Sequence, residues 1–474
     1  MPPDHRPRRL PDGFLLGTKI SAYQVEGSVG ADGRGASIWD TFSHTPGTTR
    51  HGDTGDVSAD HYRRVEEDLD LVAGLGAPAF CFSAAWPRVQ PQGSGPANQR
   101  GLDFYRRLVE GLRRRGVAPV LTLFHWDLPQ ALEDAGGWAV RDTAGRFADY
   151  AALVAGALGP EVEMWVTLNE PWCASWLGYA VGSHAPGRRE LGLAAAAAHH
   201  LLLGHGRAVE AVRAAVPGAR VGIDLNLVPM RPASDHPDDV AAAWRSDGNL
   251  NRLFLDPLLR GEYPADMLLQ YAGRTPGFGV IQEGDLAVIA RPCDFLGVNY
   301  YAPRTVCAPN RMDETRAAGY WVPRDPPADA FNADLQNIEV HRPEYQRTPM
   351  GWEIEPAGLT QLLLRLRDEY SPPPLYVMEN GRACDDYVTP GGEVHDPERI
   401  TYLRDHLAAT LDAVDAGVDV RGYFVWSLLD NFEWAHGFSQ RFGLTWVDYP
   451  SGARIPKASY SWFRDTARAH ALAP

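Results

Sequence analysis

Short apolar runs of strand length alternate with longer amphipathic or alanine-rich stretches along the whole chain. This alternation constrains the fold more than any other feature, because a repeated strand–helix rhythm leads to a parallel sheet covered by helices. Candidate strands are Phe14–Ile20, Ala79–Phe82, Ala118–Phe124, Glu163–Leu168, Val221–Leu227, Asp294–Asn299, Leu375–Met378 and Gly422–Ser427. Helical patterns cover Val65–Leu75, Leu102–Arg115, Phe147–Leu158, Ala194–Ala215, Leu359–Tyr370 and Tyr402–Ala416. Gly76, Gly116 and Gly417 stand where helix C-caps are expected. Eight strands with helices between most of them is the count of an α/β fold of the (β/α)8 TIM barrel type. A doubly wound open sheet would want a phosphate loop after a strand. The nearest match, Gly74-x-Gly76, follows a helix and reads as a helix stop.

The chain has 474 residues, long enough for two or three average domains, but barrels with long loops exceed 400 residues as one unit. No internal repeat or low-complexity linker divides it, so residues 1–474 are expected to form a single barrel domain. The Pro-rich stretch from Ala302 to Pro349 reads as one long loop insertion, about 302–350, after the sixth strand; a loop of that length in a barrel is usually functional or mobile.

Acidic residues outnumber basic ones 60 to 45, a net charge of -15, which argues against nucleic acid or an anionic membrane as a partner. The basic N-terminus lacks the apolar run of a signal peptide, and no segment reaches the roughly 18 apolar residues of a membrane span. The five cysteines are far apart and form no CxxC pair, the pattern of reduced thiols in a cytoplasmic protein. Only two residues, Lys19 and Lys457, are lysines; the other basic side chains are arginines.

Polar and aromatic residues cluster where the predicted strands end: Gln24, His125-Trp126, Asn169-Glu170, Asn299-Tyr300-Tyr301, Glu379-Asn380, and Trp426 followed by Glu433-Trp434. Barrel active sites form at the C-terminal strand ends, where the βα loops converge. One Asn-Glu pair could be a helix cap, but six such clusters are hard to explain by capping. Glu170 and Glu379 end strands four and seven, across the barrel mouth from each other. Glycoside hydrolysis needs two carboxyl groups flanking the scissile bond, one protonated and one ionised, and a spacing of about 5–5.5 Å leads to retention. Tryptophans offer flat faces for sugar rings, and Gln, His, Asn and Glu supply hydroxyl partners. The composition is that of a carbohydrate site with a small-molecule glycoside as its partner.

At these residues the chain resembles the family 1 β-glycosidases, a resemblance that spans Phe14 to Asp465. It is carried by SAYQVEG (21–27), WPR (86–88), LFHWDLPQAL (123–132), TLNEP (167–171), GVNYYAP (297–303), MGWEIEP (350–356), MENG (378–381), GYFVWSLLDNFEW (422–434) and RFGLTWVDY (441–449). The resemblance implies a retaining β-glycosidase without cofactor, with Glu170 as acid/base, Asn169 at the sugar 2-hydroxyl, and Glu379 as nucleophile with Tyr301 on its carboxylate. It further implies Gln24, His125, Glu433 and Trp434 on the other hydroxyls, with Trp426 as the stacking floor; Trp126 and Asn299 complete the expected binding set.

Four positions depart from the family pattern near the centre. Where the family carries an arginine on strand two this chain has Cys81, with Ala85 for a serine beyond it. On strand one an alanine and threonine are replaced by Lys19 and Ile20. A cation beside a carboxylate lowers its pKa by roughly 1–3 units, and cysteine supplies no such charge. Lys19, on the neighbouring strand, is expected to replace the arginine beside Glu379. The competing reading has it snorkelling outward to a surface acid. The departures also motivate an alternative function, a repurposed barrel performing glycosyl transfer or altered sugar chemistry; a sugar-binding protein without turnover has no use for both glutamates. His199, His200 and His205 read as packing histidines rather than metal ligands, since adjacent helix positions face different ways. Asp53, Asp56 and Asp60 lack the regular spacing of a calcium loop.

Overall fold

The computed structural model describes residues 8–324 and 334–472. Eight parallel strands close into a barrel: β1 (Leu15–Lys19), β2 (Ala79–Ser83), β3 (Ala118–Phe124), β4 (Met164–Asn169), β5 (Val221–Asn226), β6 (Phe295–Asn299), β7 (Leu375–Asn380) and β8 (Val420–Trp426). Each strand pairs with its successor, and β8 returns to β1 with Leu15 opposite Gly422 and Lys19 opposite Trp426. The strands are buried on both faces, as parallel strands sheathed by helices must be.

The covering helices are α1 (His61–Leu75), α2 (Gln99–Arg114), α3 (Asp142–Leu158), α4 (Leu191–Ala215), α5 (Pro237–Asp247), α6 (Pro356–Tyr370), α7 (Pro397–Asp415) and α8 (Ala458–Ala469). Most begin several residues before the apolar periodicity does. Except in α4, their first turns are mainly polar or, in α5, α6 and α7, start with proline at a position whose N–H would have no partner. Gly76, Gly116 and Gly417 all adopt the left-handed conformation that ends a helix.

Alternate strand residues divide the interior into layers. Ala79, Cys81, Val120, Met164, Val166, Phe295, Tyr376, Met378 and Phe424 fill the barrel as a core of its own, separate from the helix–strand core outside. Gly17 leaves room for the Phe424 ring, since a Cβ there would stand 2.4 Å from its Cδ1. Towards the C-terminal strand ends the lining becomes polar, with Lys19, Thr122, Asn169, Asp224, Asn299 and Glu379 all buried.

The stretch 302–350 follows β6 as expected, yet it carries structure of its own. Arg304–Cys307 pairs with Met230–Pro232 from the β5 loop and with Ile338–Val340, and Met312–Ala317 is helical. Two loops are thereby stitched into one small sheet over the barrel mouth. Residues 325–333 of this stretch lie outside the described residues.

The loops after β7 and β8 are tied by the second lysine. Lys457 Nζ lies 2.6 Å from Asp386 and 2.7 Å from Asp430, and all three side chains are buried. Arg399 also binds Asp386, and Arg441 binds Asp430. Removing one partner of a buried ion pair costs about 3–5 kcal/mol; the remaining arginines offset part of this. Lys457→Met is therefore expected to lose about 3 kcal/mol of stability, read as a lowered thermal midpoint, while Lys457→Arg loses less.

Candidate active site

β1 ends on Lys19, whose strand register sets it beside Cys81 of β2. The side chain is fully buried and reaches across the barrel. Nζ donates to Asn169 Oδ1 on β4 at 2.8 Å and to Asp224 Oδ2 on β5 at 2.7 Å, and stands 2.9 Å from Glu379 Oε1 on β7. Nζ thus has two hydrogen-bond acceptors, with Glu379 as a second ion-pair partner. Burial, the largest single effect, pulls the Lys19 pKa down, but Asp224 and then Glu379 outweigh it and hold the group above its ordinary value. Cys81 is also fully buried, with Sγ 3.6 Å from Thr122 Oγ1. Burial pushes its thiol up to about 12, against the pull of Lys19, so it remains a neutral thiol rather than a nucleophile.

Asp224 escaped the sequence reading, which took it as part of a strand. The available signal was a lone carboxylate inside the apolar run VGIDLNL, since a charge there needs a buried partner. Its carboxylate packs over Gly297, where a Cβ would lie 1.9 Å from Oδ1. Burial raises Asp224 to about 6, moderated by Lys19.

Glu170 and Glu379 line the same cavity, of about 260 Å³, together with His125, Trp126, Asn299, Tyr301, Trp426, Glu433 and Trp434. Tyr301 Oη donates to Glu379 Oε2 at 2.7 Å, while Oε1 faces Lys19 as an ion pair. Asn299 Nδ2 donates to Glu170 Oε1 at 2.8 Å. Burial first, and then the charge of Glu379, raise Glu170 to about 8, which keeps it protonated at neutral pH. The site therefore sets a proton-bearing carboxyl group beside a carboxylate held by an ammonium and a phenol. Glu170, Trp126 and Trp434 all have φ between 48° and 78°, strained values for such side chains that only the surrounding packing can hold.

Gln24 and Asn169 stand behind the lining. Gln24 Nε2 donates to Asn431 Oδ1, to the Phe432 carbonyl and, at 3.5 Å, to Glu433 Oε2; its Oε1 accepts from Ser21. Asn169 Oδ1 accepts from Lys19 and Asn299, and Nδ2 donates to His125 Nε2 at 3.1 Å. Burial, helped by Lys19, holds His125 well below the usual imidazole range, so the ring is neutral. With Nε2 accepting, its proton sits on Nδ1, which has no partner among the described residues. The rings of Trp426 and Trp434 lie nearly parallel to His125 at 5.7 and 5.9 Å.

The outer cavity is completed by Trp172, Leu177, Val228 and Val340, with Arg304 and His341, and by Met350 and Trp352 of the MGWEIEP motif. Several motif residues are structural instead. Arg88 of WPR binds Glu26 at 2.8 Å, and Tyr105 closes the other oxygen of the same carboxylate at 2.7 Å. The three histidines of α4 have separate partners: Tyr263 and Asp285 for His199, the Trp138 carbonyl for His200, and Thr167 for His205.

Residues 6–472 match the family model described as glycosyl hydrolase family 1. The chain is 42% identical over 466 residues to "Beta-glucosidase A" of Thermotoga maritima, covering 98% of this chain and 99% of the relative. It is 47% identical over 467 residues to the "Bifunctional beta-D-glucosidase/beta-D-fucosidase" of Bifidobacterium breve, covering 96% and 97%. Among solved structures, "Family 1 b-glucosidase from Thermotoga maritima" superposes with a TM-score of 0.90 at 41% identity, over 99% of this chain and 100% of that one.

Glu433 gives this geometry a thermodynamic test. Burial, followed by the charges of Glu379 and Glu170, raises it from 4.5 to about 8. Because the folded value lies above the unfolded one, its contribution to stability is complete below about 4.5 and lost as pH rises through about 8. At roughly 1.4 kcal/mol per unit, Glu433→Gln should stabilise the protein by at least about 2 kcal/mol at pH 9 and change it little at pH 4. Thermal melts of both proteins across this range check the sign.

Proposed function

The chain belongs to glycosyl hydrolase family 1, and from that premise we propose that it is a retaining β-glycosidase, β-glucosidase-like, that releases a terminal β-linked sugar through a covalent glycosyl-enzyme. The observation that carries this reading is the unlike state of two carboxyl groups in one cavity: Glu170 raised to about 8, Glu379 paired with Lys19 and Tyr301. In the first step a Glu379 oxygen bonds to the anomeric carbon, the bond to the aglycone oxygen breaks, and Glu170 gives that oxygen its proton. In the second, Glu170 takes a proton from water, the water oxygen bonds to the anomeric carbon, and Glu379 departs with its electron pair.

His125, Glu433 and Trp434 supply the hydroxyl partners of the bound sugar, with Trp426 as the flat surface beneath it. Gln24 orients Glu433, and Asn169 fixes His125 from behind. The outer cavity is mainly apolar, with Trp172, Leu177, Met350 and Trp352, and favours an aryl or alkyl aglycone over a highly polar one. We read the whole chain as one catalytic domain, its 302–350 stretch forming part of the aglycone wall. The cysteine pattern of the sequence supports a cytoplasmic setting, and no described helix is long and apolar enough to cross a membrane. With an ammonium at Glu379, the loss of the strand-two arginine does not call for altered chemistry, so hydrolysis is favoured over a repurposed barrel.

A 2-deoxy-2-fluoro β-glucoside with a good leaving group is expected to label Glu379, located by peptide mass spectrometry. A label elsewhere, or turnover without a label, rejects the nucleophile. Glu170→Gln should lose about 10²–10⁴-fold on poor leaving groups, which need a proton, while largely retaining the first step on activated aryl glycosides. Equal losses on both substrates would remove Glu170 as the acid.

A further inference from the structure

Of the two carboxylates paired with Lys19, the proposed reaction consumes one. When a Glu379 oxygen bonds to the anomeric carbon, that carboxylate becomes a neutral ester and stops being a counterion. Lys19 is fully buried, so water cannot take its place. What remains within hydrogen-bond reach is Asn169 Oδ1, which is uncharged, and Asp224 Oδ2 at 2.7 Å.

From this geometry we infer that Asp224 is a positioning residue of the reaction: it keeps Lys19 an ammonium in the glycosyl-enzyme, so that a cation stands ready when Glu379 must leave as a carboxylate. The inference rests on the assignment of Glu379 as nucleophile. Asp224 does not line the cavity, so its effect on substrate passes through Lys19.

The other groups facing Lys19 cannot do this work. Cys81 on β2 stays a neutral thiol, and His125, just beyond β3, a neutral imidazole. Glu170, just beyond β4, is ionised in the intermediate, having given up its proton, but it acts on Lys19 only through space, its hydrogen bond coming from Asn299. A buried lysine with no carboxylate partner has its pKa lowered by up to about 3–5 units, into the working range of an enzyme. With Asp224 present Lys19 keeps a hydrogen-bonded carboxylate at both stages. The free enzyme holds the anions Asp224 and Glu379 against one ammonium, and the glycosyl-enzyme holds Asp224 and Glu170 against the same ammonium. Net buried charge does not change along the reaction.

The presence of only two lysines makes the test direct. Protein grown on lysine labelled with carbon-13 at Cε gives two signals, with Lys457→Arg to assign them. The signals are followed from pH 5 to 9 in the free enzyme and after trapping with the 2-fluoro glucoside. In the wild-type protein Lys19 is expected to read as an ammonium throughout, in both states. In Asp224→Asn it is expected to remain an ammonium in the free enzyme, where Glu379 pairs with it, and to lose its proton within this range once trapped. Reactivation of the trapped variant should then fall at least tenfold as pH rises through that midpoint. A wild-type Lys19 that titrates in the trapped enzyme overturns the proposal, and this arm decides even if Asp224→Asn does not fold. A trapped variant whose Lys19 stays charged, with reactivation following the wild-type pH profile, overturns it as well. Failure to form any adduct at Glu379 is a different result: it removes the nucleophile assignment, and the role of Asp224 falls with it.

Discussion

Taking an ammonium out of water costs several kcal/mol unless the interior returns both opposite charge and a full set of acceptors. Lys19 obtains charge and acceptors from across the barrel: a hydrogen-bonded carboxylate on β5, an amide oxygen on β4 and an ion-paired carboxylate on β7. The same contacts organise their donors. Asn169, fixed through Oδ1, turns its Nδ2 to His125, and the charge of Lys19 helps keep that ring neutral. Glu379, held at one oxygen by Lys19 and at the other by Tyr301, has its carboxylate plane set before any sugar arrives. One charge thereby orients residues from four strands.

This arrangement depends on a rigid frame. Beneath the polar layer the barrel is closed by packed apolar side chains, so Lys19 cannot retract towards the N-terminal end. Around the rim, buried ion pairs replace apolar packing: Glu26 with Arg88 at the first two loops, and Lys457 with Asp386 and Asp430 at the last two. Such pairs add modestly to stability at best, but each fixes one geometry for the loops it joins. The strained backbones of Trp126, Glu170 and Trp434 lie between these anchored loops, where the frame can hold them.

The fold was legible because a parallel barrel writes itself as repeated apolar runs, and all eight runs became strands. Boundaries were legible only where chemistry marks them. Glycine ended helices where expected, while helix starts were missed because a polar first turn carries no periodicity. Glu170 and Glu379, expected from motif and strand end, line one cavity, whereas the place of Lys19 depends on which way one side chain points across the barrel. Asp224 was hidden for a related reason. A single acid in an apolar run is conspicuous, yet its partner lies 205 positions away in sequence, and only the closed barrel brings the two together. The motif arginine Arg88 shows the reverse case, a recognisable signature whose residue holds the loop instead of the sugar.

Lysine and arginine would solve the problem of a buried cation differently. A guanidinium spreads its charge over five donors in a planar fork and can grip one carboxylate with two parallel bonds. An ammonium concentrates its charge on one atom with three donors, and it loses its proton far more readily when buried without a partner. On the proposed mechanism, a chain that carries lysine at this position must therefore supply a carboxylate that persists when Glu379 is esterified. Asp224 meets that need where the barrel geometry permits it, on β5, opposite β1, with Gly297 leaving space for the carboxylate at its side. Lys19, Asp224, Gly297 and the small side chain of Cys81 are thus parts of one solution, since each makes room or charge for another. Read this way, cysteine in the arginine position is the space that a cation from the neighbouring strand requires.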